Sequence, residues 1–158
     1  MHTGGADTRR AKLLAWGAVA LWSGVILALS TDSFSADETS RIIGPLLDFF
    51  FPGLDAATKA LVHAAVRKCA HAFEYAVLAI LAERALRLGA PRRALRAALL
   101  AIGLAAAVAS VDEAGQATRA SRTGSPRDVA LDVAGGGAGL VLARAARSWQ
   151  RRREEVRP

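Results

Sequence analysis

Three short stretches of this chain carry titratable side chains among apolar neighbours. In Arg-Lys-Cys-Ala-His-Ala-Phe-Glu-Tyr (67–75), Lys68, His71 and Glu74 stand three residues apart and so share one helix face. The second stretch is Asp112-Glu113-Ala-Gly-Gln116, and the third runs Arg122-Thr-Gly-Ser-Pro-Arg-Asp128 and on to Asp132. A histidine oriented by a carboxylate is equipment for general acid–base chemistry, which makes His71, Glu74, Asp112 and Glu113 the candidate catalytic residues. Lys68, Gln116, Arg122, Thr123, Ser125, Asp128 and Asp132 supply charge and hydrogen bonds and are the candidate ligand-binding residues. No nucleophile signature accompanies them.

Each stretch also has a plainer reading. An ionised side chain at the centre of a bilayer costs about 2.5 to 3.5 kcal/mol on insertion scales, so such groups are kept when paired, facing a cavity or functional. Lys68 could instead snorkel to headgroups while His71 and Glu74 bond each other or a neighbouring helix. Asp112 and Glu113 are adjacent, hence roughly 100° apart on a helix, so one is expected to face the bundle and the other the exterior water. Gln116 follows at i+4 and i+3. Acids at a helix C-terminus oppose the macrodipole, which asks for a cationic partner or ligand.

In the third stretch Ser125 fits an N-cap, Pro126 the first helical position, and Asp128 the third residue of a capping box. Arg122, Thr123, Gly124 and Ser125 then precede a helix N-terminus and could cradle a phosphate or carboxylate; an ordinary loop with a surface arginine is the alternative. Beyond them Asp132, Gly135, Gly136 and Gly139 form a small-residue face that lets another helix approach closely. A buried Asp132 needs a donor, for which His71, Lys68 and Gln116 are candidates. A metal site from His71, Glu74 and these acids lacks any paired-histidine spacing, so neither metal nor cofactor is expected.

The elements that must position these residues follow from charge placement. The 158 residues make one domain, rich in Ala and Leu and so helical, with a net charge of +7. Fourteen of the 21 Lys and Arg flank apolar spans: Arg9, Arg10 and Lys12; Arg84, Arg87, Arg92, Arg93 and Arg96; Arg144, Arg147, Arg151, Arg152, Arg153 and Arg157. The intervening regions, 30–68 and 112–132, hold most of the acids, which is the positive-inside pattern of a polytopic membrane protein. A nucleic-acid binder would gather its arginines with aromatic or polar readers between them, and none is expected here. A single cysteine, Cys69, excludes an intrachain disulfide and reads as a small packing residue.

The reading is therefore all-α: an integral membrane bundle of four transmembrane helices, near 13–29, 69–88, 94–111 and 126–146, with both termini cytoplasmic. Residues 1–12 form a mobile basic tail, 13–147 the transmembrane domain and 148–158 a second basic tail. Leu13–Leu29 could also be a signal peptide, but its apolar run is longer than a signal core. A soluble four-helix bundle is the rival architecture, and 13–29 and 97–111 lack the polar face it needs. Between the first two spans, Ile42, Ile43, Leu46, Leu47, Phe49, Phe50 and Phe51 follow possible caps at Thr39 and Ser40 and stop at Pro52-Gly53, suiting either the membrane interface or a buried loop helix. Asp55 caps a helix that continues into the 67–75 stretch. The three polar stretches then converge on the outer leaflet.

Lys68-x-x-His71-x-x-Glu74-Tyr75, Asp112-Glu113-x-x-Gln116 and Arg122-x-Gly124-Ser125-x-x-Asp128-x-x-x-Asp132 resemble, in order and spacing, the motifs of the VanZ-like family of bacterial membrane proteins. Leu29-Ser-Thr-Asp-Ser-Phe34 is similar to that family's segment after its first span, and the resemblance runs from about Trp16 to Leu140. It implies a small multi-spanning helical protein of the bacterial cytoplasmic membrane, surrounded by membrane lipids; the family's namesake is associated with low-level resistance to the glycopeptide teicoplanin, so an influence on glycopeptide susceptibility is the corresponding expectation. The partner expected on this reading is an anionic lipid-linked or peptidoglycan-related cell-wall precursor, or a glycopeptide-related ligand. An enzyme acting on such a lipid, with His71 as general acid or base, is the alternative; a third is a layer of structural glue between helices. The sequence departs from the family pattern at Gly115, where a histidine usually precedes the glutamine, and at 117–121, which lack the usual aromatic and proline.

Overall fold

The computed structural model describes residues 3–30, 36–88, 93–117 and 125–155. They form five helices and, among the described residues, no strand: α1 (Thr3–Leu29), α2 (Ala36–Phe50), α3 (Ala56–Arg87), α4 (Ala94–Ala117) and α5 (Pro126–Glu155). The basic segment expected to be a mobile tail is helical from Thr3, and α5 carries its helix through the C-terminal arginines to Glu155. Thr39 and Ser40 lie inside α2, which begins at Ala36, so they are not its caps. Asp55 does cap α3: its side chain accepts the Thr58 N–H at 2.7 Å, and the helix runs unbroken to Arg87. At 1.5 Å per residue this 32-residue helix is about 48 Å long, more than a hydrocarbon core of roughly 30 Å.

The apolar residues that α4 buries are all alanines, and α5 buries two glycines with Leu140. Ala97, Ala98, Ala101, Ala105 and Ala109 of α4 are inside, whereas its Leu95, Leu99, Leu100 and Val111 are exposed. On α1 Val19 and Ile26 are buried while Leu13, Leu14 and Leu21 are exposed, and on α5 Gly136 and Gly139 are inside with Val141 and Leu142 outside. A water-soluble bundle sorts its residues the other way, with large apolar side chains in the core. In lipid, large side chains lose nothing by facing outward, and small ones let helices approach. The sorting therefore decides against the soluble bundle.

Among the described residues, α1, α4 and α5 are long and apolar enough to cross a membrane. Four such spans were expected; α3 does not qualify by composition, because Lys68, Glu74, Glu83, Arg84 and Arg87 interrupt it. It is nevertheless the central element, packing against each of the other four helices and most extensively against α5. Its buried face is Tyr75, Leu78, Ala79, Ala82, Glu83 and Ala85. Cys69, expected to pack, is exposed. α2 touches α3, with Lys59 bonded to Asp48, and leaves Leu46, Phe49, Phe50 and Phe51 exposed.

The α3–α5 contact is made backbone to backbone. A Cβ placed on Gly135 would stand 2.6 Å from the Ala72 carbonyl oxygen, and one on Gly139 would stand 2.6 Å from the Ala76 Cβ and 2.8 Å from its Cα. Neither neighbour can swing aside. Gly137, between them, has nothing within 4 Å. Gly139→Ala should therefore lower stability by about 1 to 3 kcal/mol through overpacking, while Gly137→Ala leaves the thermal midpoint in detergent unchanged or slightly raised. Equal effects of the two variants would contradict the close approach.

The Asp55 carboxyl is held below the usual carboxylate range, chiefly by the Thr58 backbone N–H. A lowered folded-state pKa means that the cap's contribution is present above the ordinary carboxylate value and fades as pH falls through the lowered one. Amide exchange in the first turn of α3 should accordingly rise on acidification, and at neutral pH in Asp55→Ala, whereas Asp55→Asn keeps the cap and removes the pH response.

Candidate functional site

The bundle brings the first two polar stretches and, from the third, Ser125, Asp128 and Asp132 together at one end. α3 and α5 run parallel, so residues about sixty positions apart face each other: Lys68 Nζ lies 3.6 Å from Asp128 Oδ1, and His71 Nδ1 lies 3.8 Å from Asp132 Oδ1. α4 is antiparallel to both and delivers Asp112, Glu113 and Gln116 from its last turns. A narrow cleft opens among them, lined by Arg67, Lys68, His71, Glu113, Asp128 and Asp132, with Gln116 and Leu131 completing its walls. Its open volume of about 20 Å³ is enough for roughly one water molecule.

Most of the acids are already committed to the fold. Asp112 and Glu113 are both buried, correcting the expectation that one would face water. Their roughly 100° separation points them at two neighbouring helices. Asp112 Oδ2 accepts the Ser30 hydroxyl at 2.9 Å from the end of α1, and the Gln116 amide at 3.1 Å from one turn along α4. The glutamine thus takes the i+4 position expected of it. Glu113 Oε2 accepts the Ser125 N–H at 2.7 Å.

Ser125 caps α5 as expected, its Oγ accepting the Arg127 N–H at 3.2 Å. The other half of the capping box is not supplied by Asp128, which turns to Lys68, but by Glu113 across the helix interface. An acid on a neighbouring helix thereby satisfies a free N–H and sits at the positive end of the α5 dipole. Glu74 is half-buried and outside the cleft lining; its carbonyl accepts the Trp22 indole N–H at 2.9 Å, tying α1 to α3. Its carboxylate has no hydrogen bond or ion pair among the described residues. Arg122 and Thr123, the expected anion cradle, lie outside the described residues.

Asp132 differs from the other acids. It is 1% exposed, and among the described residues neither carboxylate oxygen has a hydrogen-bond partner. At 3.8 Å the imidazole of His71 is an electrostatic neighbour, beyond hydrogen-bond length. Among the described residues no three His, Cys, Asp or Glu are placed to hold a metal ion. Sequence reasoning missed Ser30 and Arg67 as members of this end. Arg67 adjoins Lys68 and was legible as a second cation there; Ser30 stands in the Leu29–Phe34 segment that resembles the family's, though nothing in that segment tied it to Asp112.

A small helical membrane protein with a closed polar cluster between three helix ends is the class that fold and site define. The chain belongs to the VanZ/LLP1 family, whose model matches residues 15–147. Comparison with curated proteins and with solved structures gives no match. At Gly115, where the motif usually shows a histidine, a Cβ would meet nothing within 4 Å, so packing leaves room for a side chain there.

If Glu113 acts as a cap, removing its acceptor strands a helix N–H. Glu113→Ala should cost about 1 to 3 kcal/mol and speed amide exchange at 125–129, while Glu113→Gln retains an acceptor oxygen and should cost much less. Comparable losses in both variants would mean that the charge, rather than the cap, is what the fold needs.

Proposed function

We propose that this chain is a bacterial cytoplasmic-membrane protein whose cleft takes the polar end of an anionic lipid-linked or peptidoglycan-related ligand at the outer leaflet, thereby influencing susceptibility to glycopeptides such as teicoplanin. Asp132 is the observation that carries this reading. A buried carboxyl group without donors is costly, and a hydroxyl, amine or amide N–H delivered from outside would relieve it. The open volume suits one such group rather than a whole headgroup. Arg67 and Lys68 in the cleft lining would hold a phosphate, so a sugar or amino-sugar phosphate on a lipid carrier matches both ends.

The orientation rests on four spans with both termini cytoplasmic, flanked by residues 1–12 and 148–158. The charge on α3 does not oppose this, since a helix packed against four others touches protein where an outer helix touches lipid. Basic residues gather at the α1 start, the α3 end, the α4 start and the α5 end, as the positive-inside rule requires for that orientation. On the same reading α2, with its exposed Leu46, Phe49, Phe50 and Phe51, lies in the interface. A green fluorescent protein fused after Pro158 should fluoresce, and a periplasm-dependent phosphatase in that place should be inactive; the reverse pair would refute the orientation.

Binding is tested on purified protein with a polyprenyl phosphate carrying N-acetylglucosamine. Asp132→Asn and Lys68→Glu should each weaken it about tenfold or more, on the scale of a charged hydrogen bond, and should abolish any rise in teicoplanin resistance conferred on a sensitive host. Wild-type affinity in both variants would exclude this cleft as the site.

The approach of His71 to Asp132 favours one second reading, an enzyme in which the carboxylate orients the imidazole as general acid or base. That reading requires turnover of the same lipid that disappears in His71→Ala while binding persists.

A further inference from the structure

We propose that the opposite end of the bundle carries a separate site for the phosphate of an anionic phospholipid headgroup. An open cleft of about 670 Å³ lies there between the ends of α3 and α5 and the start of α4, and its lining includes Arg87, Arg144, Arg147, Arg151, Arg152 and Ser148. Its floor is built. Glu83, completely buried, accepts Arg144 Nη2 at 2.7 Å and Nε at 3.3 Å on one oxygen and Arg147 Nη2 at 3.0 Å on the other. Arg144 Nη2 also donates to the Ala94 carbonyl at 3.2 Å, joining α4 to the knot. Two guanidinium groups are thus fixed in place, each with N–H donors left over.

The balance of charge points to an anion. Beside Glu83, the other acid at the cleft is Glu155, against five arginines. Arg87, Arg151 and Arg152 make no side-chain hydrogen bond or ion pair among the described residues. Guanidinium groups held this close repel one another, and a multiply accepting oxyanion between them turns repulsion into charge-assisted bonds.

Two further features favour a lipid over free phosphate. Apolar grooves open at the same end of the bundle, each with arginine in its lining: one between α1 and α3, with Leu14, Leu81 and Arg84, and one between α3 and α4, with Leu86, Leu100, Arg93 and Arg96. This is the arrangement an acyl chain and its headgroup need. Trp149, exposed, with the Arg153 guanidinium 3.7 Å over its ring, marks the level of the membrane interface next to the cleft. Basic pockets between helix ends at that level hold anionic headgroups. A zwitterionic headgroup would bring an ammonium among five arginines and is disfavoured.

The full chain in phosphatidylcholine nanodiscs, titrated with phosphatidylglycerol, is the test. Phosphatidylglycerol should raise the thermal midpoint and remain bound in native mass spectra, with affinity falling about fivefold for each of Arg87, Arg151 and Arg152 replaced by alanine. These three leave the Glu83 knot intact, and Arg151→Lys with Arg152→Lys should retain most of the binding. Equal stabilisation in pure phosphatidylcholine, an unchanged affinity in the triple alanine variant, or full competition by millimolar inorganic phosphate would each overturn the assignment to a lipid.

Discussion

Apolar side chains have no reason to leave lipid for one another, so a helix bundle in a membrane must be held by contacts that lipid cannot make. Here that contact is the approach of α5 to α3, where the missing Cβ atoms of Gly135 and Gly139 admit the backbone of Ala72 and Ala76. Van der Waals attraction falls steeply with distance, and two glycines one turn apart bring long stretches of helix within its range. They also leave little freedom to slide. A shift by one residue would press a side chain into a carbonyl or a Cα.

That fixed register governs what happens at both ends. Because the two helices are parallel, the glycine contact in the middle sets Lys68 opposite Asp128 and His71 opposite Asp132 on one side. On the other side it sets Glu83 between Arg144 and Arg147. Neither group of charges would be tolerable in an apolar layer if its partner stood a turn away. The charges in turn oppose slippage, since any other register strands a buried Glu83. Packing and electrostatics therefore specify the same alignment, and α4 and α1 are joined to it by hydrogen bonds that include Ser30 to Asp112, Trp22 to the Glu74 carbonyl, Arg144 to the Ala94 carbonyl and the Ser125 N–H to Glu113.

The helices, the glycine face and the grouping of three polar stretches were legible because each is a local pattern: apolar runs, small residues at helical spacing, a Ser-Pro cap. Partner choice was not legible in the same way. The spacing of Asp112 and Glu113 states that they diverge, but which helix each meets depends on rotation about α4, which no local pattern encodes. The capping box shows the same limit. Asp128 stands at the right position in sequence, yet it faces Lys68 while Glu113, twelve residues earlier and on another helix, takes the Ser125 N–H. Arg144, Arg147 and Glu83 read as charges at span ends because their sequence separation hides that they meet.

The division of labour among the acids narrows where function can reside. A carboxylate that caps a helix or joins two helices has a structural cost attached to any change of position or protonation, and so is a poor candidate for a group that cycles. Asp112 and Glu113 are bound in this way, and Gln116 with them. Asp132 is held in place by the glycine register but has no hydrogen-bond donor among the described residues, and the His71 imidazole stands 3.8 Å from it. The fold satisfies Asp112 and Glu113 and leaves Asp132, in the cleft lining, without a hydrogen-bond partner among the described residues. Asp112 and Glu113, each bonded to a neighbouring element, form the frame around it, and this is why the proposed recognition is assigned to Asp132 rather than to them.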